Sequence, residues 1–255
     1  MTDSRPPPRA RVAGSPADGR DPGDRRWDPG AADTVDAVIE SILPTGTAVS
    51  EAFGDPAEAT LYPGEEELIA RAVEARRREF TTTRHCARLA LRDLGYEPVA
   101  IPSGEKREPV WPTGVVGALT HCLGYRAAAL ARAEDVVSLG IDAEPHLPLP
   151  EGVLGSVSRP EERERIAELT ASVPEVHWDR LLFSAKESVY KAWFPLARRW
   201  LDFSEATLEF DPSGRAFHAT LHQEGPPVDG RPLTSMSGRW LVDNGLITTA
   251  VAVVR

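Results

Sequence analysis

Residues 183–193 read FSAKESVYKAW, and Glu187 and Lys191 stand four positions apart within them. At about 100° per residue, a helix places both on one side of the wheel. Trp178, Leu181, Leu182, Ala185, Val189, Ala192 and Trp193 recur at helical spacing on the other side and form one apolar stripe. The Glu–Lys side also carries Phe183, Tyr190 and Phe194, so this face is expected to be covered by another part of the chain or by a ligand. A carboxylate and an ammonium held in such a cleft are candidates for chemistry. Glu at i with Lys at i+4 is also the favoured surface pair, worth about 0.2–0.5 kcal/mol, and a solvated salt bridge is the plain alternative.

Two other stretches bear on that choice. VVSLGIDAE, residues 136–144, ends at Pro145 and alternates as a strand, with Leu139 and Ile141 on one face and Gly140, Asp142 and Glu144 on the other. Two carboxylates on one side at the end of an apolar strand repel each other, and a cation or donor must offset them if they lie near a core. Mg²⁺ is the simplest such partner, because it takes few carboxylates and leaves room for phosphate oxygens. A strand running out into solvent would explain them equally. The second stretch is basic: Arg71, Arg76, Arg77, Arg78, Arg84, His85, Arg88 and Arg92 form a local positive patch in a chain of formal net charge −10. It reads either as a solvated helix face or as a phosphate site, since the guanidinium fork matches phosphate geometry.

The elements that must position these groups follow from periodicity and punctuation. Residues 1–30 are rich in Pro, Gly, Arg and Asp and read as a disordered tail. A short helical pattern covers Val35, Val38, Ile39, Ile42 and Leu43, and residues 44–64 read as irregular. A helix is expected from Glu65 to Leu94, with a break at Thr81-Thr82-Thr83 and a stop at Gly95. After a Pro- and Gly-rich loop, Val115–Thr120 and Tyr125–Ala131 read as strands, with His121 at the turn between them. Residues 147–159 read as a loop before a charged helix at Pro160–Leu169. Beyond the central helix, Trp200-Leu201, 206–210, 216–222, 237–242 and 246–254 read as strands, the last two joined by the hairpin signal Asp243-Asn244-Gly245. Helix followed by antiparallel strands therefore occurs twice. The expected fold is α+β, with two similar halves at 31–140 and 141–255 and a cleft between them.

The acidic balance, 29 Lys and Arg against 39 Asp and Glu, argues against a nucleic-acid partner. Cys86 and Cys122 are too few for a disulfide or metal framework and fit buried thiols in a reducing compartment. No apolar run is long enough to span a membrane and no secretory signal is apparent, so a cytoplasmic protein is expected.

Four segments in fixed order, ARRREFTTTRHCAR, WPTGVVGALTHCLGYRAA, GIDAEP and FSAKESVYKAWFPL, resemble the Sfp-type 4′-phosphopantetheinyl transferases. They look most like the actinobacterial enzymes that activate siderophore and polyketide carrier proteins. The resemblance runs from about residue 35 to the C-terminus. It implies two pseudo-symmetric α+β halves with coenzyme A and Mg²⁺ in the cleft. It also implies transfer of the phosphopantetheine arm to a serine of apo acyl or peptidyl carrier proteins, with release of 3′,5′-ADP, by a monomer. By position, Asp142, Glu144 and Glu187 match the metal ligands. Glu187 also matches the base for the serine hydroxyl, and Lys191 a catalytic phosphate contact. Arg76, Arg84, Thr120 and His121 fall in the motifs that bind coenzyme A, with Arg76 and Arg84 nearest the 3′-phosphate. Ser103, Gly104, Glu105 and Lys106 align with the loop at the adenine end. Ser103 departs from the basic residue expected there, and Lys106 is the candidate to replace it. Two rival readings use the same residues: a Mg²⁺-dependent phosphohydrolase acting on coenzyme A, and a module that binds coenzyme A or a carrier without chemistry.

Overall fold

The computed structural model describes residues 38–255; the expected tail and Val35 lie outside the described residues. The first half is a three-stranded antiparallel sheet of order β1-β3-β2, made of β1 (Ala48–Phe53), β2 (Val115–Cys122) and β3 (Tyr125–Arg132). Helix α1 (Glu74–Asp93) lies across it. Its Cys86, Ala87, Ala90 and Leu91 are buried against Ala128 and Leu130 of the central strand.

The second half begins with β4 (Val136–Pro145), which runs into the helices α2 (Val153–Val157), α3 (Pro160–Ser172) and α4 (Trp178–Ala197). Strands β5 (Ala206–Asp211) and β6 (Ala216–Leu221) follow, then a short pair β7 (Pro227–Val228) and β8 (Arg231–Pro232), then β9 (Ser235–Asp243) and β10 (Leu246–Val254). The five long strands form an antiparallel sheet of order β4-β10-β9-β6-β5. The hairpin between β9 and β10 turns at Asn244 and Gly245, both at positive φ (49° and 71°), as a two-residue turn of that twist requires. All seven residues of the α4 apolar stripe are buried in the core of this half. Each half thus sets one 20-residue helix on an antiparallel sheet, as expected.

The halves share a core. Ile39, Ala118, Tyr125 and Ala127 from the first pack in one cluster with Leu139, Ile141, Leu246 and Ala250 from the second. The division expected at residues 140/141 falls inside β4, whose ladder pairs it along its length with β10. Where the halves meet, edge strand β2 lies beside edge strand β4. Buried Thr120 joins them: its hydroxyl accepts the Ala143 N–H at 3.0 Å and lies 3.4 Å from Asp142 Oδ1.

Several expectations are corrected. Residues 44–64 are not all irregular, because 48–53 form β1, paired with β3. The first helical stretch is a single 3₁₀ turn, Glu40–Ile42, among the described residues. The long helix does not break at the threonines. The Thr81 and Thr83 hydroxyls bond back to the carbonyls of Arg77 and Glu79, and Thr82 reaches Asp55, so the chain stays helical. The interruption comes earlier, between a 3₁₀ turn at Glu66–Ile69 and α1, where the Arg77 guanidinium takes the carbonyls of Ala70 and Ala72. His121 sits within β2, opposite Arg126, and the turn is Leu123-Gly124. Trp200-Leu201 forms no strand, and α2 occupies part of the expected loop.

Candidate active site

The site is built where β4 and α4 touch backbone to backbone. Gly140 allows it: a Cβ there would stand 2.0 Å from the Ser188 carbonyl oxygen and 2.7 Å from the Ala192 nitrogen. Buried Ser138 adds a bond of 2.7 Å to the Ala192 carbonyl. This contact sets the polar end of β4 against the Glu187–Lys191 face of α4. Lys191 Nζ donates to Asp142 Oδ1 at 2.7 Å and to the Ile141 carbonyl at 2.9 Å. The Glu–Lys pair is therefore not a solvated surface bridge: Lys191 reaches across to β4.

Asp142 is buried, and its Oδ2 has no hydrogen-bond partner among the described residues. A buried carboxylate oxygen left bare is costly unless a cation or donor meets it. Glu144 gives one oxygen to Arg180 at 2.8 Å. Burial raises the Glu144 carboxyl above its ordinary value, and the Asp142 charge raises it further, against the pull of Arg180. Glu187 is raised by burial and then by Asp142, with Lys191 opposing. Each of these two carboxylates therefore feels Asp142, and a divalent cation among them would relieve all three. Among the described residues, no group of three or more His, Cys, Asp or Glu side chains is placed to hold a metal ion by itself. The bare Asp142 Oδ2 is an oxygen donor of the kind Mg²⁺ takes, and that ion keeps most of its sphere for water and phosphate oxygens.

The basic patch divides. Arg88 is structural: it pairs with buried Glu65 at 3.1 Å and is itself buried. Arg84 is buried with its guanidinium 3.4 Å from the Phe80 ring centroid, and it donates to Ser103 Oγ at 3.2 Å. Its Nε has no partner among the described residues, and burial lowers its pKa to about 10. Arg76 is exposed and contacts His121 Nε2, while Glu79 lies 3.5 Å from the other ring nitrogen. Burial, then the Arg76 charge, pushes His121 down to about 4. Arg76, Arg84, Ser103 and His121 are thus brought to one side of the cleft, next to β2. The loop carrying Ser103, Gly104, Glu105 and Lys106 closes on itself through a Ser103–Pro109 bridge, and Glu108 ties it to Arg198 at the end of α4. Glu105 and Lys106 are exposed at its tip. Thr120 is buried under Asp142 with its hydroxyl committed to β4, which makes it a support for that carboxylate.

Some site features are not read from the motifs. Glu187, Tyr190, Trp200, Leu201 and Phe203 line a small, mostly apolar cavity of about 90 Å³. The aromatic content of the Glu–Lys face signals it, but its far wall lies after the helix. Lys186, beside Glu187, is buried and pairs with buried Glu162 at 2.7 Å, so it anchors α3 to α4. Arg180 lies seven residues before Glu187, two helical turns away, and that spacing is its only sequence signal.

A buried bare carboxylate oxygen, a cation-rich flank and an apolar cavity that shares Glu187 make this region the candidate site. Comparison with known proteins agrees. Residues 64–131 match the model of the 4′-phosphopantetheinyl transferase N-terminal domain, and residues 138–231 match that of the 4′-phosphopantetheinyl transferase superfamily. The chain is 52% identical over 223 residues to the 4′-phosphopantetheinyl transferase Npt of Nocardia iowensis, covering 84% of this chain and 99% of that one. It is 52% identical over 219 residues to Svp of Streptomyces mobaraensis (85% and 89%) and 48% identical over 229 residues to PptT of Mycobacterium tuberculosis (86% and 100%). The chain belongs to the 4′-phosphopantetheinyl transferase superfamily. Among the described residues, no helix is long and apolar enough to cross a membrane.

Proposed function

We propose that the protein transfers the 4′-phosphopantetheine arm of coenzyme A to a serine of apo acyl or peptidyl carrier proteins, as a Mg²⁺-dependent monomer in the cytoplasm. The observation that carries this reading is the Glu187–Lys191 face of α4 set against Asp142 and its bare oxygen, in a chain of this family. The serine oxygen bonds to the pantetheine-side phosphorus, the bond from that phosphorus to the bridging oxygen breaks, and 3′,5′-ADP leaves. Phosphoryl transfer asks the protein mainly for positioning and charge neutralisation.

Each part of the cleft has a task in that step. Glu187 accepts the serine proton directly or through a water. Lys191 neutralises pyrophosphate oxygens. Arg84 and Arg76 hold the 3′-phosphate, with His121 as a further donor on the phosphate side, and the Ser103–Lys106 loop borders the adenine end. The cavity beside Glu187 offers Tyr190, Trp200 and Phe203 to the apolar part of the arm. Asp142, Glu144 and Glu187 would hold Mg²⁺, which when bound supplies charge neutralisation to the pyrophosphate.

The test is the intact mass of an apo carrier protein after incubation with this protein, coenzyme A and Mg²⁺, with and without EDTA. The expected gain is one phosphopantetheine, about 340 Da on the nucleophilic serine, and it disappears with EDTA. Release of 3′,5′-ADP without a mass gain on several carriers would overturn transfer in favour of hydrolysis. Bound coenzyme A with neither product would reduce the protein to a binding module.

A further inference from the structure

The two carboxylates of β4 are held in the same way. Asp142 gives Oδ1 to Lys191 and leaves Oδ2 bare; Glu144 gives Oε2 to Arg180, and no described residue donates to its Oε1. Both cations come from α4. Arg180, Glu187 and Lys191 stand at i, i+7 and i+11, within about 40° of one another around a helix of 3.6 residues per turn. Arg180 is itself fixed. Its Nε donates to the Leu147 carbonyl at 3.1 Å and a terminal nitrogen to the Pro148 carbonyl at 2.9 Å. The preceding residue, Asp179, accepts the Leu149 N–H at 2.8 Å. The guanidinium is therefore a post anchored to the chain that leaves β4, with one nitrogen left over for Glu144.

We propose that Arg180 is a positioning residue of the metal site, holding Glu144 by Oε2 so that Oε1 faces the cation. The proposal rests on the reading of Glu144 as a metal ligand. A glutamate side chain that is only partly buried has rotamers pointing to solvent, and Arg180 removes them. Arg180 reaches its two carbonyls and the carboxylate from three different nitrogens spread over a planar fork. An ammonium also has three donors, as Lys186 shows, but all on one nitrogen, so it cannot span that spacing. The Arg180 contact does for Glu144 what the Lys191 contact does for Asp142, so the loss of either should loosen one arm of the site.

The experiment titrates Mn²⁺ into the full chain with coenzyme A present and follows free Mn²⁺ by electron paramagnetic resonance. It compares wild type, Arg180→Gln, Arg180→Lys, Glu144→Gln and the Arg180→Gln/Glu144→Gln double variant, each checked for folding by thermal unfolding. Arg180→Gln is expected to weaken Mn²⁺ binding about 10-fold, the low end for partners of a metal ligand. Arg180→Lys is expected not to restore it, and the double variant to bind no more weakly than Glu144→Gln alone. Wild-type affinity in Arg180→Gln, with Glu144→Gln weakened, would overturn the positioning role and leave the metal reading standing. Wild-type affinity in Glu144→Gln would overturn both. Losses that multiply in the double variant, or full rescue by Lys, would show that Arg180 does not act through the orientation of Glu144. Should Arg180→Gln fail to fold, Arg180→Lys carries the test, since it keeps the charge and drops the fork.

Discussion

Gly140 and Ser188 meet with no room for a side chain between them: a Cβ on Gly140 would lie 2.0 Å from the Ser188 carbonyl oxygen. The obstacle is helix backbone, which cannot rotate away. Gly140→Ala is expected to push α4 off β4, at a cost of about 1–3 kcal/mol for overpacking. A displacement near 1 Å between reacting groups is worth about 10²-fold in rate. Urea unfolding and kcat/KM for the carrier should therefore fall together. Lost stability with full activity would mean that the β4–α4 spacing does not set the chemistry.

Glu187→Gln keeps shape and removes charge. If Glu187 is the base and a metal ligand, transfer should fall by at least about 10²-fold. Stability should move the other way. Burial and Asp142 raise the Glu187 pKa, so the ionised form is disfavoured in the folded chain. That penalty is absent at low pH and appears as the pH rises towards and through the raised folded value. The variant's Tm at pH 7–8, without metal, should equal or exceed that of wild type. Near-normal turnover would remove Glu187 from the mechanism.

If Arg84 holds the 3′-phosphate as proposed, its loss should separate recognition of that group from the rest of coenzyme A. A hydrogen bond to a charged group contributes about 1.5–3 kcal/mol. Arg84→Ala should raise KM for coenzyme A by roughly 10- to 100-fold, the range that energy implies. KM for 3′-dephospho-coenzyme A should change much less. An equal effect on both substrates would place Arg84 away from the 3′-phosphate.

His121 carries a pH signature. Its folded pKa of about 4 lies below the ordinary 6.5, so the unfolded chain takes up its proton first. The stability this provides is complete above 6.5 and is lost as the pH falls towards 4. Wild type should lose more of its urea midpoint over that window than His121→Gln does. NMR titration should find the ring neutral at pH 6 in the free protein and shifted upward when coenzyme A brings a phosphate near. An unshifted ring in both states would place the phosphates elsewhere.

Much of this could be read from the chain alone, for physical reasons. The α4 stripe and the alternation through GIDAE are periodic, and a strong period fixes which face a residue takes. That was enough to set Glu187 and Lys191 apart from the core, and Asp142 with Glu144 on one side of a strand. Strand β1 was hidden because its partner β3 lies more than 70 residues on, and its own pattern is weak. The threonines of α1 misled because their hydroxyls bond back to the helix instead of leaving it. The role of Arg180 depends on the path of residues 147–149, which no local pattern dictates. Lys186 and Glu187 are neighbours of similar polarity; only the buried partner Glu162 makes one an anchor and leaves the other facing the cleft.

The core shared between the halves has a mechanical consequence. Leu139 and Ile141 pack with Tyr125 and Ala118, so the strand that carries Asp142 and Glu144 is welded on its rear face to the half that carries Arg84 and His121. To widen the cleft as a hinge would, this packing would have to be broken. We therefore expect the two walls to keep their separation when substrates bind. Under the proposed function, substrates would then enter along the open side without a hinge motion between the two halves.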